Sequence, residues 1–277
     1  MQTVPVPTAL KRRAQLIRSL DPPAQCEDFS VENWKVKVSC AAVESLVRDF
    51  PSGRLARNDL FRLGQQAIGG EPIDRRRLIV ATLMWGYGPL GGRSYTNANR
   101  VLGVTGLDKR LADCAAALQD ADVRAAFLAL DGLSGYRIGF FTKYLYFLAH
   151  DALWQKDVAK PLIFDSRVEN NLTFIAKALG QPWDRSLQPR HRAIDRYLLY
   201  CSTIQAWADE IDLEPGVEGA EKVEQYLFNA EDLWFDVHAA MRTLAEAVLR
   251  DCDEGLAGPN TLKIITAMNP DLRESFG

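Results

Sequence analysis

Asp131-Gly132-Leu133-Ser134-Gly135-Tyr136-Arg137-Ile138-Gly139-Phe140-Phe141-Thr142-Lys143-Tyr144-Leu145-Tyr146-Phe147-Leu148-Ala149 is the stretch on which the reading of this chain turns. Its first six residues, two of them glycine, form a turn. From about Ile138 to Ala149 apolar residues cover every face, which predicts a buried helix. Lys143 is the only charged residue in that helix. A lysine so placed snorkels to water, pairs with a carboxylate or lies in a pocket. Burial disfavours the charged form of an amine, and a neutral amine is a nucleophile suited to imine chemistry. The residues alone leave these readings open.

Downstream, a polar stretch at 150–160 is followed by Pro161-Leu162-Ile163-Phe164 and then Asp165. Asp165 sits where an N-cap belongs, with a helix expected from there to about Leu179. It follows Lys143 by 22 residues. A short loop between the two helices brings that N-terminus back beside Lys143. An N-cap carboxylate can also face a pocket, so the structural and the chemical roles do not exclude each other.

Working outward, helical periodicity dominates. Residues 40–48 and 58–68 carry apolar side chains at three- and four-residue spacing. A mostly apolar helix is expected over 74–87, with Asp74 as its N-cap. Gly86, Gly88, Pro89, Gly91 and Gly92 then break the chain. A helix restarts near Ser94 and ends at Gly103. Asp108–Leu130 reads as one helix or two short ones, and 189–210 and 218–250 as two long ones. Val36-Lys37-Val38 alternates like a short strand. Residues 1–30 hold four prolines and are expected to wrap the body or to be partly loose.

The chain has 277 residues, 47% hydrophobic and 25% charged, which excludes a disordered or collagen-like chain. No apolar run approaches the ~20 residues of a membrane span. The N-terminus lacks a basic segment followed by an apolar one, so no signal peptide is expected. Cys26, Cys40, Cys114, Cys201 and Cys252 are scattered, which argues against a disulfide framework, a zinc knuckle or a cysteine-held iron–sulfur cluster. His150, His191 and His238 lack metal-ligand spacing. The glycines of 86–92 form no phosphate-binding loop. No metal and no cofactor are expected. Residues 201–277 carry 5 Lys/Arg against 16 Asp/Glu, and residues 1–200 carry 28 against 20. A basic body permits a nucleic-acid surface, although a salt-balanced surface explains the charge as well.

Leu133-Ser134-Gly135-Tyr136, the Lys143 helix and Phe164-Asp165-Ser166-Arg167-Val168 resemble the helix-hairpin-helix DNA glycosylase superfamily. There, a hairpin precedes a helix bearing a catalytic Lys, and a catalytic Asp follows about twenty residues later. The nearest branch looks like the 8-oxoguanine DNA glycosylase/lyase group, and within it the bacterial proteins found in antiphage loci. Val223-Glu224-Gln225-Tyr226-Leu227-Phe228-Asn229-Ala230-Glu231-Asp232-Leu233 is similar to the late helix that supplies a base-stacking Phe in those enzymes. The hairpin departs from the family pattern, since Tyr136-Arg137-Ile138-Gly139 replaces a compact G-x-G.

The resemblance implies a mainly α, two-lobed glycosylase fold with little β and a base pocket between the lobes. Residues 1–72 are expected as an N-terminal extension and first helices packing on the body, and 73–277 as the glycosylase-like body. Lys143 would attack the sugar C1′ and Asp165 would stabilise the cationic sugar. Phe228 would stack on one face of the extruded base and Phe147 on the other. Glu224 stands where the familiar enzymes place Gln against the base edge. An ionised carboxylate only accepts hydrogen bonds, so a different modified guanine-type base is implied. Arg167, Asn99, Arg100, Gly135 and Gly139 are the expected DNA contacts. For each of these side chains plain packing or a solvated surface is the alternative. The implied partners are double-stranded DNA with a damaged or modified base and other proteins of a defence locus, with no membrane, in the cytoplasm. A binding module that holds a modified base without cleaving it is the competing function. An enzyme for a modified base in another context is a third.

Overall fold

The computed structural model describes residues 6–89, 91–150, 158–179, 193–213 and 217–229. The chain divides into two units, Met1–Phe228 and Asn229–Gly277. Apart from Asn229, the second lies outside the described residues, together with Cys252, His238 and the expected helix beyond 229. His191 and the start of the helix expected at 189 lie outside them as well.

Two short helices, α1 (Thr8–Arg12) and α2 (Ala14–Arg18), precede a 3-10 turn at Pro22–Ala24 and strand β1 (Cys26–Asp28). Then come α3 (Val31–Lys37), α4 (Ala41–Asp49), β2 (Arg54–Ala56), α5 (Arg57–Ile68) and α6 (Pro72–Tyr87). The remainder is helical: α7 (Ser94–Leu102), α8 (Leu107–Gln119), α9 (Val123–Leu130), α10 (Ile138–Ala149), α11 (Ser166–Leu179), α12 (Ala193–Glu210) and α13 (Val217–Asn229). Among the described residues the sheet is one antiparallel pair, with Cys26 opposite Ala56 and Asp28 opposite Arg54. The protein is thus mainly helical with little β, as the sequence implies.

The strand is not where alternation suggested. Val36 and Lys37 belong to α3, whose start is capped by the Ser30 hydroxyl accepting from Asn33 N–H. The α6 helix begins two residues before Asp74, with Pro72 in its first turn. Asp74 is therefore not the N-cap; it sits at N3 and accepts from the Glu71 N–H at 3.1 Å, half of a capping box. Residues 108–130 form two helices, α8 and α9, broken at Asp120–Asp122, where Ala121 takes a positive φ of 61°.

The core is built around α10, which is buried from Phe141 through Ala149 and packs on α5, α6 and α9. On α5, Gly64 faces α10 so closely that a Cβ there would collide with the Phe147 carbonyl. The turn before α10 is tied to α6 by the buried hydroxyls of Tyr136 and Thr82, 2.6 Å apart. Gly135 needs its glycine: its φ is +79°, and a Cβ would lie 2.6 Å from the Asn97 carbonyl on α7. After α10 the segment Leu162–Phe164 is strapped between two helices. Phe164 N–H donates to the Thr142 hydroxyl (3.1 Å), and the hydroxyls of Tyr197 and Tyr200 donate to the carbonyls of Leu162 (3.0 Å) and Ile163 (2.7 Å). That strap sets where Asp165 begins α11.

Candidate active site

Lys143 pairs with a carboxylate; it does not snorkel. Its Nζ lies 3.0 Å from Oδ2 of Asp165 and donates to the Gly139 carbonyl at 3.1 Å. The residue is only 4% exposed. The other oxygen of Asp165, Oδ1, accepts the N–H groups of Arg167 (3.0 Å) and Val168 (3.2 Å), which caps α11. One carboxylate thus does both jobs, and the strap at Leu162–Phe164 holds it there. The approach is close: a Cβ on Gly139 would touch Asp165 at 3.4 Å.

The wall over the lysine stem comes from the glycine-rich end of α6. A Cβ on Gly86 would lie 2.8 Å from Phe140 Cε1 and 3.4 Å from both Cδ and Cε of Lys143. Gly86 is nonetheless exposed, so the surface reaches the lysine stem at this point. Phe140 stacks on Tyr87 at 4.5 Å, and the Tyr87 hydroxyl accepts from Asn97 Nδ2 at 2.6 Å.

The remaining expected residues fall into three groups. Arg167 and Phe228 meet beside Asp165, with the guanidinium 4.9 Å from the ring centroid. Arg167 also acts electrostatically on Glu27 of β1. Gly135 and Arg100 meet where the hairpin turn rests on α7. Asn99 and Arg100 are exposed, and Asn99 Nδ2 donates to the Lys37 carbonyl at 2.9 Å. Phe147 lies one turn beyond Lys143, but its ring packs on Phe61, Trp85 and Tyr146 and the residue is 1% exposed. For it to flank a base, those neighbours would have to part.

Glu224 is buried and bonded to a residue that the sequence did not single out. Its Oε2 accepts from Arg57 at 3.0 Å, and both side chains are 1% exposed. Arg57 also donates to the Tyr146 hydroxyl (3.1 Å) and to Gln25 Oε1 (2.7 Å). Burial pushes the Glu224 carboxyl up, while Arg57 pulls it down; Asp165 and Lys143 also act on it. Glu221, one turn earlier on α13, is pushed up to about 8 by burial. Among the described residues no group of three or more His, Cys, Asp or Glu is placed to hold a metal ion.

A buried amine and a fixed carboxylate in contact can exchange a proton and can stabilise a cationic centre between them. Comparison with known families matches residues 20–228 to the one described as "Putative 8-oxoguanine DNA glycosylase OGG-like protein". The match covers well over half of the sequence, and the chain belongs to this family. No curated protein and no solved structure matches it. No helix among the described residues is long and apolar enough to cross a membrane.

Proposed function

We propose that the protein is a DNA N-glycosylase with lyase activity, acting on an oxidised or otherwise modified guanine-type base through a Lys143 imine. The observation that carries this reading is the 3.0 Å contact between Lys143 and Asp165. The base must leave the stack before it can react. A proton passes from Nζ to the Asp165 carboxylate, 3.0 Å away, and the Nζ lone pair then attacks C1′. The glycosidic bond breaks with its electron pair passing to the base, which takes that proton from Asp165 and restores the carboxylate. Asp165 stabilises the positive charge that develops on the sugar. The C1′–O4′ bond then opens, a proton passes from Nζ to O4′, and the iminium at Nζ and C1′ remains. Loss of a C2′ proton expels the 3′-phosphate and nicks the strand. Phe228 offers a face for the base and Arg167 a cation beside it, at the N-terminus of α11, for a phosphate. Gly135, Gly139, Asn99 and Arg100 supply backbone and side-chain contacts to DNA on this reading.

Borohydride reduction on duplexes carrying a panel of damaged bases tests it. A covalent adduct should form with the wild-type protein and vanish in Lys143→Gln. Undiminished trapping by Lys143→Gln would exclude Lys143 as the nucleophile.

A second reading, a module that holds a modified base without releasing it, is favoured by one observation. Lys143 is almost sealed, and its Nζ is already bonded to Asp165 and Gly139. On that reading base-specific affinity appears with no base released at any protein concentration. Action on DNA in the cytoplasm, and a defence role with partner proteins of the locus, belong to both readings and rest on the sequence resemblance.

A further inference from the structure

Beyond Lys143, α10 runs on to its C-terminal end at His150, about 10 Å further along the helix axis. A cavity of about 480 Å³ opens there. Its size falls in the range of small-molecule sites. Lys143, Asp165, Arg167, Glu224 and Phe228 are all absent from its wall. The steps proposed above make no use of it.

Glu221 of α13 is the buried carboxyl of that wall, 2% exposed. Its Oε1 has no hydrogen-bond partner among the described residues. His150 Nε2, on the same wall, stands 3.6 Å from it, beyond hydrogen-bond length. Arg57 acts on Glu221 through its charge but donates to Gln25, Tyr146 and Glu224. A buried acceptor left unanswered is costly and calls for an explanation. Asp21 and Glu218 add two exposed carboxylates to the wall. Its one lysine, Lys222, donates to the Arg18 carbonyl at 2.9 Å. The balance of charge therefore favours a cation. Leu20, Pro22 and Phe61 supply apolar surface, and the His150 ring lies 3.8 Å from that of Phe61.

We propose that this cavity is a ligand site separate from the Lys143–Asp165 pair, and that it takes a planar nitrogen cation, an amidinium or guanidinium group, carried on an apolar stem. Such a group offers parallel N–H donors that match a carboxylate, one of them for Glu221 Oε1. Its flat face suits the ring of Phe61, and its stem suits Leu20 and Pro22. A neutral amide has the shape without the charge, and an anion would face three carboxyl groups. The inference does not depend on the reaction at Lys143.

Binding carries a pH signature. The groups facing Glu221 are Arg57 on α5, Tyr146 and His150 on α10, and Glu218 and Glu224 on α13 itself. Asp21, ahead of β1, and Lys222 share the cavity wall. Burial pushes the Glu221 carboxyl up to about 8; Arg57 and Tyr146 pull it down, and the two glutamates raise it. Below that pH Glu221 holds a proton that the cation must displace. Affinity for the cation therefore falls as the pH falls.

The test follows backbone amide NMR signals of the full-length protein, without DNA, between pH 7 and 9. Benzamidine is the probe and benzamide its neutral counterpart of nearly the same shape. Acetyl-arginine N-methylamide stands for an arginine side chain of a partner protein. Benzamidine should give saturable shifts at Phe61, His150 and Glu221. At pH 8.5 it should bind at least ~10-fold tighter than benzamide, as one charge-assisted hydrogen bond allows. Its affinity should drop about tenfold from pH 9 to pH 7, as displacement of one proton requires. Glu221→Gln should lose both the preference and the slope. Asn58 lies on the wall at an exposed position, so Asn58→Trp should fold and block the cavity, whether or not Glu221→Gln folds. Benzamidine binding tighter than the arginine derivative assigns the site to a free ligand, and the reverse order assigns it to a partner's arginine. Benzamide bound as tightly as benzamidine, an unaltered preference in Glu221→Gln, or full binding by Asn58→Trp would each overturn the inference. Shifts centred on Gly139 and Asp165 instead would overturn it too.

Discussion

Asp165 joins two helices with one side chain: Oδ2 meets Lys143 of α10 at 3.0 Å while Oδ1 caps α11 through the N–H of Val168 at 3.2 Å. The two oxygens can be separated by mutation. Asn keeps a capping oxygen and loses the charge, and Asn and Asp cap about equally well. Asp165→Asn should therefore stay folded, with a cap-related change of about 1 kcal/mol or less. Single-turnover base release should fall by at least ~100-fold, the scale of losing one electrostatic stabiliser. Thermal unfolding and a quench assay check both halves. Full activity in a folded Asp165→Asn protein would leave the residue a cap only.

Gly86 offers the reverse separation. Alanine is the better helix former by about 1 kcal/mol, but its methyl would press on Phe140 at 2.8 Å and on the Lys143 stem at 3.4 Å. Gly86→Ala should unfold at the same temperature as wild type or higher, yet release base at least ~10-fold more slowly, because small misplacements of a reacting group are expensive. A variant that is equally fast would mean that Phe140 can yield without moving the lysine.

Gly64→Ala should be destabilising despite the same gain in propensity. The added methyl collides with the Phe147 carbonyl, so α5 and α10 must separate. Overpacking of this kind costs about 1–3 kcal/mol. Urea unfolding should show a lower midpoint with an unchanged slope. Because Arg57 and Tyr146 sit on the two helices that part, their bond at 3.1 Å should weaken as well.

Glu221 governs a pH dependence of stability. Burial raises its carboxyl to about 8, against the pull of Arg57, and His150 Nε2 stands 3.6 Å away. Between the ordinary carboxylate range and about pH 8, the folded protein holds a proton that the unfolded chain has released. Stability therefore falls as pH rises through that window and levels off above it, each pH unit costing at most about 1.4 kcal/mol. The upward shift of Glu224 acts in the same direction. Glu221→Gln should flatten the slope, melting above wild type at pH 8.5 and converging on it towards pH 5. Parallel melting curves across that range would count against a protonated Glu221.

What the sequence showed and what it hid differ in a physical way. The α10 helix was legible because twelve residues with one charge leave few alternatives, and Asp165 because a cap has a local signature. Lys143 and Asp165 are therefore both legible in the sequence without reference to their contact. The β1 strand, Cys-Glu-Asp, has no apolar alternation and exists only through its pairing with Arg54–Ala56. The Val36-Lys37-Val38 alternation is real, but the Ser30 cap and helix-forming neighbours outweigh it. Arg57 was invisible for a different reason. It stands near Arg54, Asp59 and Arg62, a run that reads as a solvated face, and its carboxylate partner is 167 residues away. Long-range charge pairs leave no local signal. Glu224 stood out as a position, but its pairing with Arg57 did not.

The short β1–β2 ladder brings Gln25 and Arg57 together at its end, where Arg57 N–H also donates to the Gln25 carbonyl at 2.7 Å. This bears on any effort to trim the protein to a minimal enzyme. A chain reduced to residues 73–277 would keep Lys143, Asp165, Phe228 and Glu224, and would look complete as a list of candidate site residues. It would also have lost the cation that answers Glu224, leaving that buried carboxyl and the Tyr146 hydroxyl without their donor. The smallest piece that keeps this buried network whole reaches back to Gln25 and Arg57, well upstream of the Lys143–Asp165 contact.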